Sequence, residues 1–205
     1  MTKDCIFCNR ANFEDRIISE DENSFVIATL GQITDGGYLL LVPKRHVSCI
    51  GAMGYSEMRT LDLPGSKIVE VLKDNYGTRA VTIFEHGIVG QTVPHAHIHF
   101  LPAFCRLTEK VKQDFPEAEI ESIDSRYFWL TFSSFYKVRR KPYLMWQSED
   151  KKWNICWDPP APLQYFRLIT AEILDRPERG NWRNMDPELD RKLRTETMER
   201  LKKYF

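Results

Sequence analysis

No apolar run in this chain approaches the ~20 residues that a membrane-spanning helix requires. The densest is Tyr38–Pro43. An excess of charge is missing too, since 29 Lys and Arg face 29 Asp and Glu, so no global field draws the chain to nucleic acid or an anionic membrane. The opening Met1-Thr2-Lys3-Asp4-Cys5 lacks the apolar segment of a secretory signal, and neither repeats nor low-complexity tracts occur. Cysteine is sparse and odd in number, five in 205 residues, which excludes a disulfide scaffold. These absences predict a cytoplasmic globular protein with no membrane or nucleic-acid partner. What is present fits that class: apolar residues are 42% and charged residues 28% of the chain, and a chain this long buries roughly 70% of its unfolded surface. In a reducing compartment Cys5-Ile6-Phe7-Cys8 is half a metal site or a redox pair, while Cys49, Cys105 and Cys156 are solitary and read as packing.

The first hundred residues alternate short strands with one helical stretch. Arg16–Ser19 and Phe25–Thr29, joined through Glu20-Asp21-Glu22-Asn23, predict a hairpin. Thr34-Asp35-Gly36-Gly37 signals a turn, and Tyr38–Val42 then reads as a buried strand ended by Pro43. From Ser56 to Tyr76, Met58, Leu61, Ile68, Val69 and Leu72 recur at helical spacing, with a break predicted at Leu63-Pro64-Gly65 and a C-cap at Gly77. Ala80–Phe84 and His95–Leu101 are the next strands. After Pro102 the character changes. Thr108–Phe115 reads as a helix, Tyr127–Phe132 as an aromatic strand, and Tyr143–Gln147 with Trp153–Trp157 as a hairpin. Leu163–Leu174 and Pro187–Tyr204 read as helices. A boundary near residue 104 separates residues 1–104 from an extension, 105–205, that packs on the first part rather than folding alone. The basic run Lys137-Val138-Arg139-Arg140-Lys141 reads as a solvated approach to the hairpin, and the aromatic residues around it as core.

Chemistry concentrates in the histidines. Pro94-His95-Ala96-His97-Ile98-His99-Phe100 places three imidazoles at i, i+2 and i+4. On a strand these share one face, with their Cα atoms about 6.5–7 Å apart. Packing seldom produces such a row, because each ring carries two nitrogens that need partners. Two assignments compete. His95 and His97 together bind a catalytic metal with an open position for water, or one imidazole stays free as a nucleophile. Pro43-Lys44-Arg45-His46 supplies a further histidine. Two thiolates and two imidazoles complete a tetrahedral Zn²⁺ shell, so Cys5, Cys8, His46 and one member of the row leave the other two metal-free.

Cys5-Ile6-Phe7-Cys8, Leu39-Leu40-Leu41-Val42-Pro43-Lys44-Arg45-His46-Val47 and Gly90-Gln91-Thr92-Val93-Pro94-His95-Ala96-His97-Ile98-His99 together resemble the histidine triad (HIT) superfamily of nucleotide hydrolases and transferases, over about residues 4–103. The resemblance implies an α+β fold: a HIT-like antiparallel β-sheet with flanking helices, on which the C-terminal hairpin and helices pack. It implies His97 as the nucleophile on the α-phosphorus of a nucleotide, giving a nucleotidyl-histidine. It assigns Cys5, Cys8, His46 and His95 to a structural Zn²⁺, His99 to the phosphate and Thr92 to the phosphate and leaving group, with Gln91 beside it. A homodimer is the expected assembly. The substrates implied are dinucleoside polyphosphates, phosphoramidates and adenylated conjugates. The chain departs from the family pattern at Tyr38, where a histidine orienting the triad is frequent. It departs again at Leu30-Gly31-Gln32, where an Asp or Asn reaching the ribose is frequent and Gln32 is the one polar replacement. Glu85 stands where an amide is common, and His86 reads equally as a pocket rim or a solvated loop. A nucleotide-binding member that has lost turnover is the second reading, and a zinc hydrolase using both His95 and His97 the third.

Overall fold

Strands whose side chains alternate between two apolar layers must be covered on both faces, and β3 (Leu39–Pro43) is buried throughout. A computed structural model of the protein, which describes residues 5–205, shows how this is done. Met1-Thr2-Lys3-Asp4, read above for the missing signal, lies outside the described residues. The other strands are β1 (Ile17–Glu20), β2 (Ser24–Ala28), β4 (Thr82–Gly87), β5 (Ile98–Leu101), β6 (Ile120–Ile123), β7 (Tyr143–Gln147) and β8 (Trp153–Trp157). All pair antiparallel in one eight-stranded sheet of order β1-β2-β3-β5-β4-β7-β8-β6. The fold is α+β.

Leu39, Leu41, Ile83 and Met145 point to one face, where α2 (Asp62–Tyr76) and α4 (Phe128–Arg139) contribute Ile68, Leu72, Phe128 and Phe132. Leu40, Val42, Phe84, Leu144 and Trp146 point to the other. There the N-terminal loop brings Phe7 and Phe13, α3 (Leu107–Asp114) brings Val111, and α5 (Tyr165–Ile173) brings Phe166 and Ile169. Two further helices, α1 (Tyr55–Arg59) and α6 (Pro187–Leu201), complete the set. No described helix is long and apolar enough to cross a membrane.

The sheet runs straight across residue 104. The β4 edge is covered by β7, with Phe84 opposite Trp146 and His86 opposite Leu144. The extension therefore continues the sheet that carries the histidines.

Several sequence expectations shift. The helical break falls between α1 and α2, and Pro64 sits in the first turn of α2, where its missing N–H costs nothing. Gly77 caps α2 at φ +61° as expected. Tyr127–Phe132 is not a strand. Phe128 and Phe132, read as alternation, are one helical turn apart in α4, and their rings stack at 5.2 Å. Of the run Lys137–Lys141, the first three residues end that helix, Arg140 caps it at φ +48°, and Lys141 leads into β7 of the hairpin. Its Arg139 pairs with Glu119 and Glu121 and lies 5.3 Å over the Trp157 ring. Strand β6 carries no strand signal in the sequence, because Ile120 and Ile123 do not alternate and acidic residues stand between and beside them.

Candidate active site and metal centre

Register puts the histidines on one face. Opposite Phe84 on β4 lies His99 on β5, and their rings stack at 4.5 Å. His95 and His97 precede the strand proper, which begins at Ile98, and follow the Gly90–Pro94 loop. Gly90 is at φ +74°, and a Cβ there would meet the His86 ring and the Pro162 carbonyl at 3.0 Å. Its carbonyl accepts from the Gln164 N–H, the residue that opens α5. The loop before the triad is thus fixed to the extension by backbone contact.

Each imidazole has a distinct role written in its hydrogen bonds. The Nε2–H of His95 donates to the Pro43 carbonyl at 2.8 Å, which leaves the Nδ1 lone pair facing the cysteines. That Nδ1 lies 3.4 Å from Cys5 Sγ and 3.7 Å from Cys8 Sγ, and His46 Nδ1 lies 3.3 Å from Cys8 Sγ. The four donor atoms lie within 4.8 Å of one another. A tetrahedral Zn²⁺ with bonds of about 2.3 Å to sulfur and 2.0–2.1 Å to nitrogen needs donor separations of roughly 3.3–3.8 Å. The set fits zinc. His97 is not part of it: its Nδ1–H donates to the His95 carbonyl at 2.7 Å, so its Nε2 carries the lone pair. Burial pushes the His97 imidazole down to about 4, which leaves it neutral at pH 7.

His99 Nδ1 meets the Tyr38 hydroxyl at 2.7 Å, while His99 Nε2 is buried without a partner. Burial, with His97, His86 and Arg167 nearby, holds His99 well below the usual imidazole range. Burial also pushes the Tyr38 phenol up to about 12, so it is a neutral hydroxyl. His86 points into the same site. Its Nε2 accepts the Phe166 N–H at 3.0 Å, one of the amides that the first turn of α5 leaves unpaired. Glu85 points the opposite way, accepting from Ile50 N–H at 2.7 Å and the Tyr143 hydroxyl at 2.6 Å.

Between these elements lies a cleft walled by Phe7, Thr92, His97, His99, Gln164 and Arg167, with Trp182 at its rim. Thr92 lines the same cleft as His97 and His99. Gln91 faces away, donating to the Ser48 and His95 carbonyls. Gln32 is no ribose contact: fully buried, its amide accepts from Tyr38 N–H and donates to the Tyr38 and Thr29 carbonyls.

Comparison with known proteins gives the family. The HIT domain model matches residues 10–105. An uncharacterized HIT-like protein of Methanocaldococcus jannaschii is 30% identical over 124 residues, 58% of this chain and 92% of that protein. The chain belongs to the HIT family. A nitrilase and fragile histidine triad fusion protein of Caenorhabditis elegans is 34% identical over 90 residues, 43% of this chain but only 20% of the relative. A bis(5'-adenosyl)-triphosphatase of Dictyostelium discoideum is 30% identical over 91 residues, 43% of this chain and 60% of that protein.

For this HIT protein the sequence signals and the geometry differ in two places. Tyr38 was visible as a departure, but its partnership with His99 was not. Arg167 carries no local signal, being 68 residues beyond His99 in sequence and joined to the cleft only by the docking of α5.

Proposed function

We propose that this protein is a nucleotide hydrolase or nucleotidyltransferase that breaks a P–O or P–N bond at an α-phosphate through a nucleotidyl-His97. The observation that carries the reading is His97 itself: buried, neutral, clamped at Nδ1 and open at Nε2 toward a cleft. Nε2 attacks phosphorus, the N–P bond forms as the bond to the leaving group breaks, and the leaving atom takes a proton from solvent. Water then attacks the same phosphorus, the N–P bond breaks, and the water proton returns to solvent; a second acceptor in place of water gives transfer. His99 Nε2–H and the Thr92 hydroxyl face the developing charge on the non-bridging oxygens. Gln91 acts one step back, holding the carbonyl of His95 against which His97 is oriented.

Zinc on Cys5, Cys8, His46 and His95 would serve structure, since four protein ligands leave no position for water. The chain's own residues then do the chemistry. The donor set also counts against the zinc hydrolase, because His97 stays outside it. The Dictyostelium relative is named for acting on a dinucleoside triphosphate, and substrates of that kind, phosphoramidates and adenylated conjugates all fit an attack on an α-phosphorus. We place the protein in the cytoplasm. The homodimer belongs to the proposal.

The test is a panel of a dinucleoside polyphosphate and a nucleoside phosphoramidate given to wild type and His97→Asn. Turnover by wild type with at least a thousandfold loss in the variant is the expected result. Nucleotide binding without turnover in wild type would establish the non-catalytic alternative.

A further inference from the structure

A buried cation without a counter-ion marks a place for an anion. Arg167, on α5 of the extension, is 4% exposed and lines the cleft that holds His97 and His99. Its Nε donates to the Gly180 carbonyl at 3.2 Å, and its Nη2 to the carbonyls of Gly31 at 2.8 Å and Arg179 at 3.5 Å. Its guanidinium carbon stands 5.1 Å from the centre of the Tyr38 ring. These partners orient the plane and supply dipoles but no negative charge. Among the described residues no carboxylate lies within 4.0 Å of it, although its neighbours Arg176, Arg179 and Arg194 all have one. The second guanidinium of the cleft, Arg16, is 5% exposed; it donates to the Ala28 carbonyl at 3.2 Å, and its one carboxylate within 4.0 Å among the described residues is that of Asp15, at 3.9 Å. Among the described residues no Asp or Glu lines the cleft.

Keeping a guanidinium desolvated without an ion is unfavourable, and neutral dipoles offset that only in part. An arriving phosphate supplies the missing charge and matches the planar fork of the guanidinium. An independent observation points to the same ligand: His99 Nε2, in this cleft, is buried with no partner. A phosphate oxygen is an acceptor for both groups.

We propose that Arg167 is a phosphate-contacting, specificity-determining residue, so that the C-terminal extension contributes directly to the nucleotide site. The inference rests on the nucleotide reading above and deepens it. The extension selects ligands by their anionic group, and residues 105–205 are part of the site rather than a separate attachment. Arg167 is held in place by loops on both sides, Gly31 from the first part of the chain and Gly180 from the extension. Asp190 of α6 fixes the first of these by accepting from the Gly31 and Gln32 N–H groups.

The experiment measures binding, not turnover, so that its failure is separable from failure of the covalent mechanism. Inorganic pyrophosphate and AMP are titrated calorimetrically into the zinc-loaded full chain, as wild type, Arg167→Gln and Arg167→Lys. At least a tenfold weaker affinity for both ligands is expected in Arg167→Gln, with at least a threefold recovery in Arg167→Lys, which keeps the charge but not the three-carbonyl fork. A purely structural role predicts that glutamine and lysine lose affinity equally, in step with their melting temperatures, and that result overturns the proposal. In the wild type, which needs no variant to fold, the Arg167 Nε–H resonance is expected to shift on saturation with pyrophosphate. Pyrophosphate bound with that resonance unmoved overturns the proposal as well, as does a wild type that binds neither ligand.

Discussion

The tautomer of a histidine is set by what its other nitrogen holds, and in this site no two triad members are held in the same way. His95 is fixed by a carbonyl on Nε2, His97 by a carbonyl on Nδ1, and His99 by a phenol on Nδ1. With the neutral Tyr38 hydroxyl donating to Nδ1, the proton of His99 sits on Nε2, toward the cleft. The Tyr38→Phe variant keeps the buried ring and removes the hydroxyl. We expect kcat to fall about tenfold, the equivalent of ~1.4 kcal/mol of lost positioning, with KM changed less than threefold and the melting temperature little altered. Steady-state kinetics beside a thermal melt checks this, and an unchanged kcat would refute the role. The metal ligands were legible as a set, since thiolates and imidazoles at these positions have few other uses. The function of Tyr38 was not, because a tyrosine in a buried strand is ordinarily core and only the register of β3 against β5 brings its hydroxyl to His99.

At the scale of elements, β4 is the strand on which the two faces diverge. Phe84 and His86 serve the triad side, while Glu85 ties the opposite face to the turn at Ile50 and to Tyr143 of β7. Burial pushes the Glu85 carboxyl up to about 7, against a usual value near 4.5, with the two hydrogen bonds opposing the shift. The folded protein thus binds a proton at Glu85 that the unfolded chain has released between those values. Stability then falls as pH rises from about 4.5 to about 7 and levels off above it, a contribution on the order of 3 kcal/mol. Urea unfolding at pH 5 and pH 8 is expected to show this loss in wild type and not in Glu85→Gln; equal pH dependence in both would contradict it. Periodicity made most elements readable, including the β7–β8 hairpin and α6. It failed in α4, where aromatic residues at i and i+4 imitate alternation when only six positions are considered. It failed again at β6, whose pairing with β8 is a tertiary fact.

For the molecule as a whole, the N-terminal loop, the Pro43–His46 segment and the triad converge on one set of donors, so a zinc held there would link metal binding to folding. Chelation, or Cys8→Ser, is expected to lower the melting temperature by about 5 °C or more, and elemental analysis to return one zinc per chain. A chelated protein that melts unchanged yet has lost turnover would make the metal catalytic instead. The sequence also pointed to an extension packed on the first hundred residues. It did not reveal that the extension prolongs the same sheet and brings Arg167 to the cleft, because neither the β4–β7 pairing nor the docking of α5 leaves a local pattern. The central claim remains the covalent step at His97. Acid-free denaturing quench of wild type mixed with labelled substrate, followed by peptide mapping of residues 95–99, tests it most directly. One nucleotide monophosphate on His97, formed before product and absent in His97→Asn, is the expected result. Label on another residue, or turnover with no adduct at any time, would contradict it.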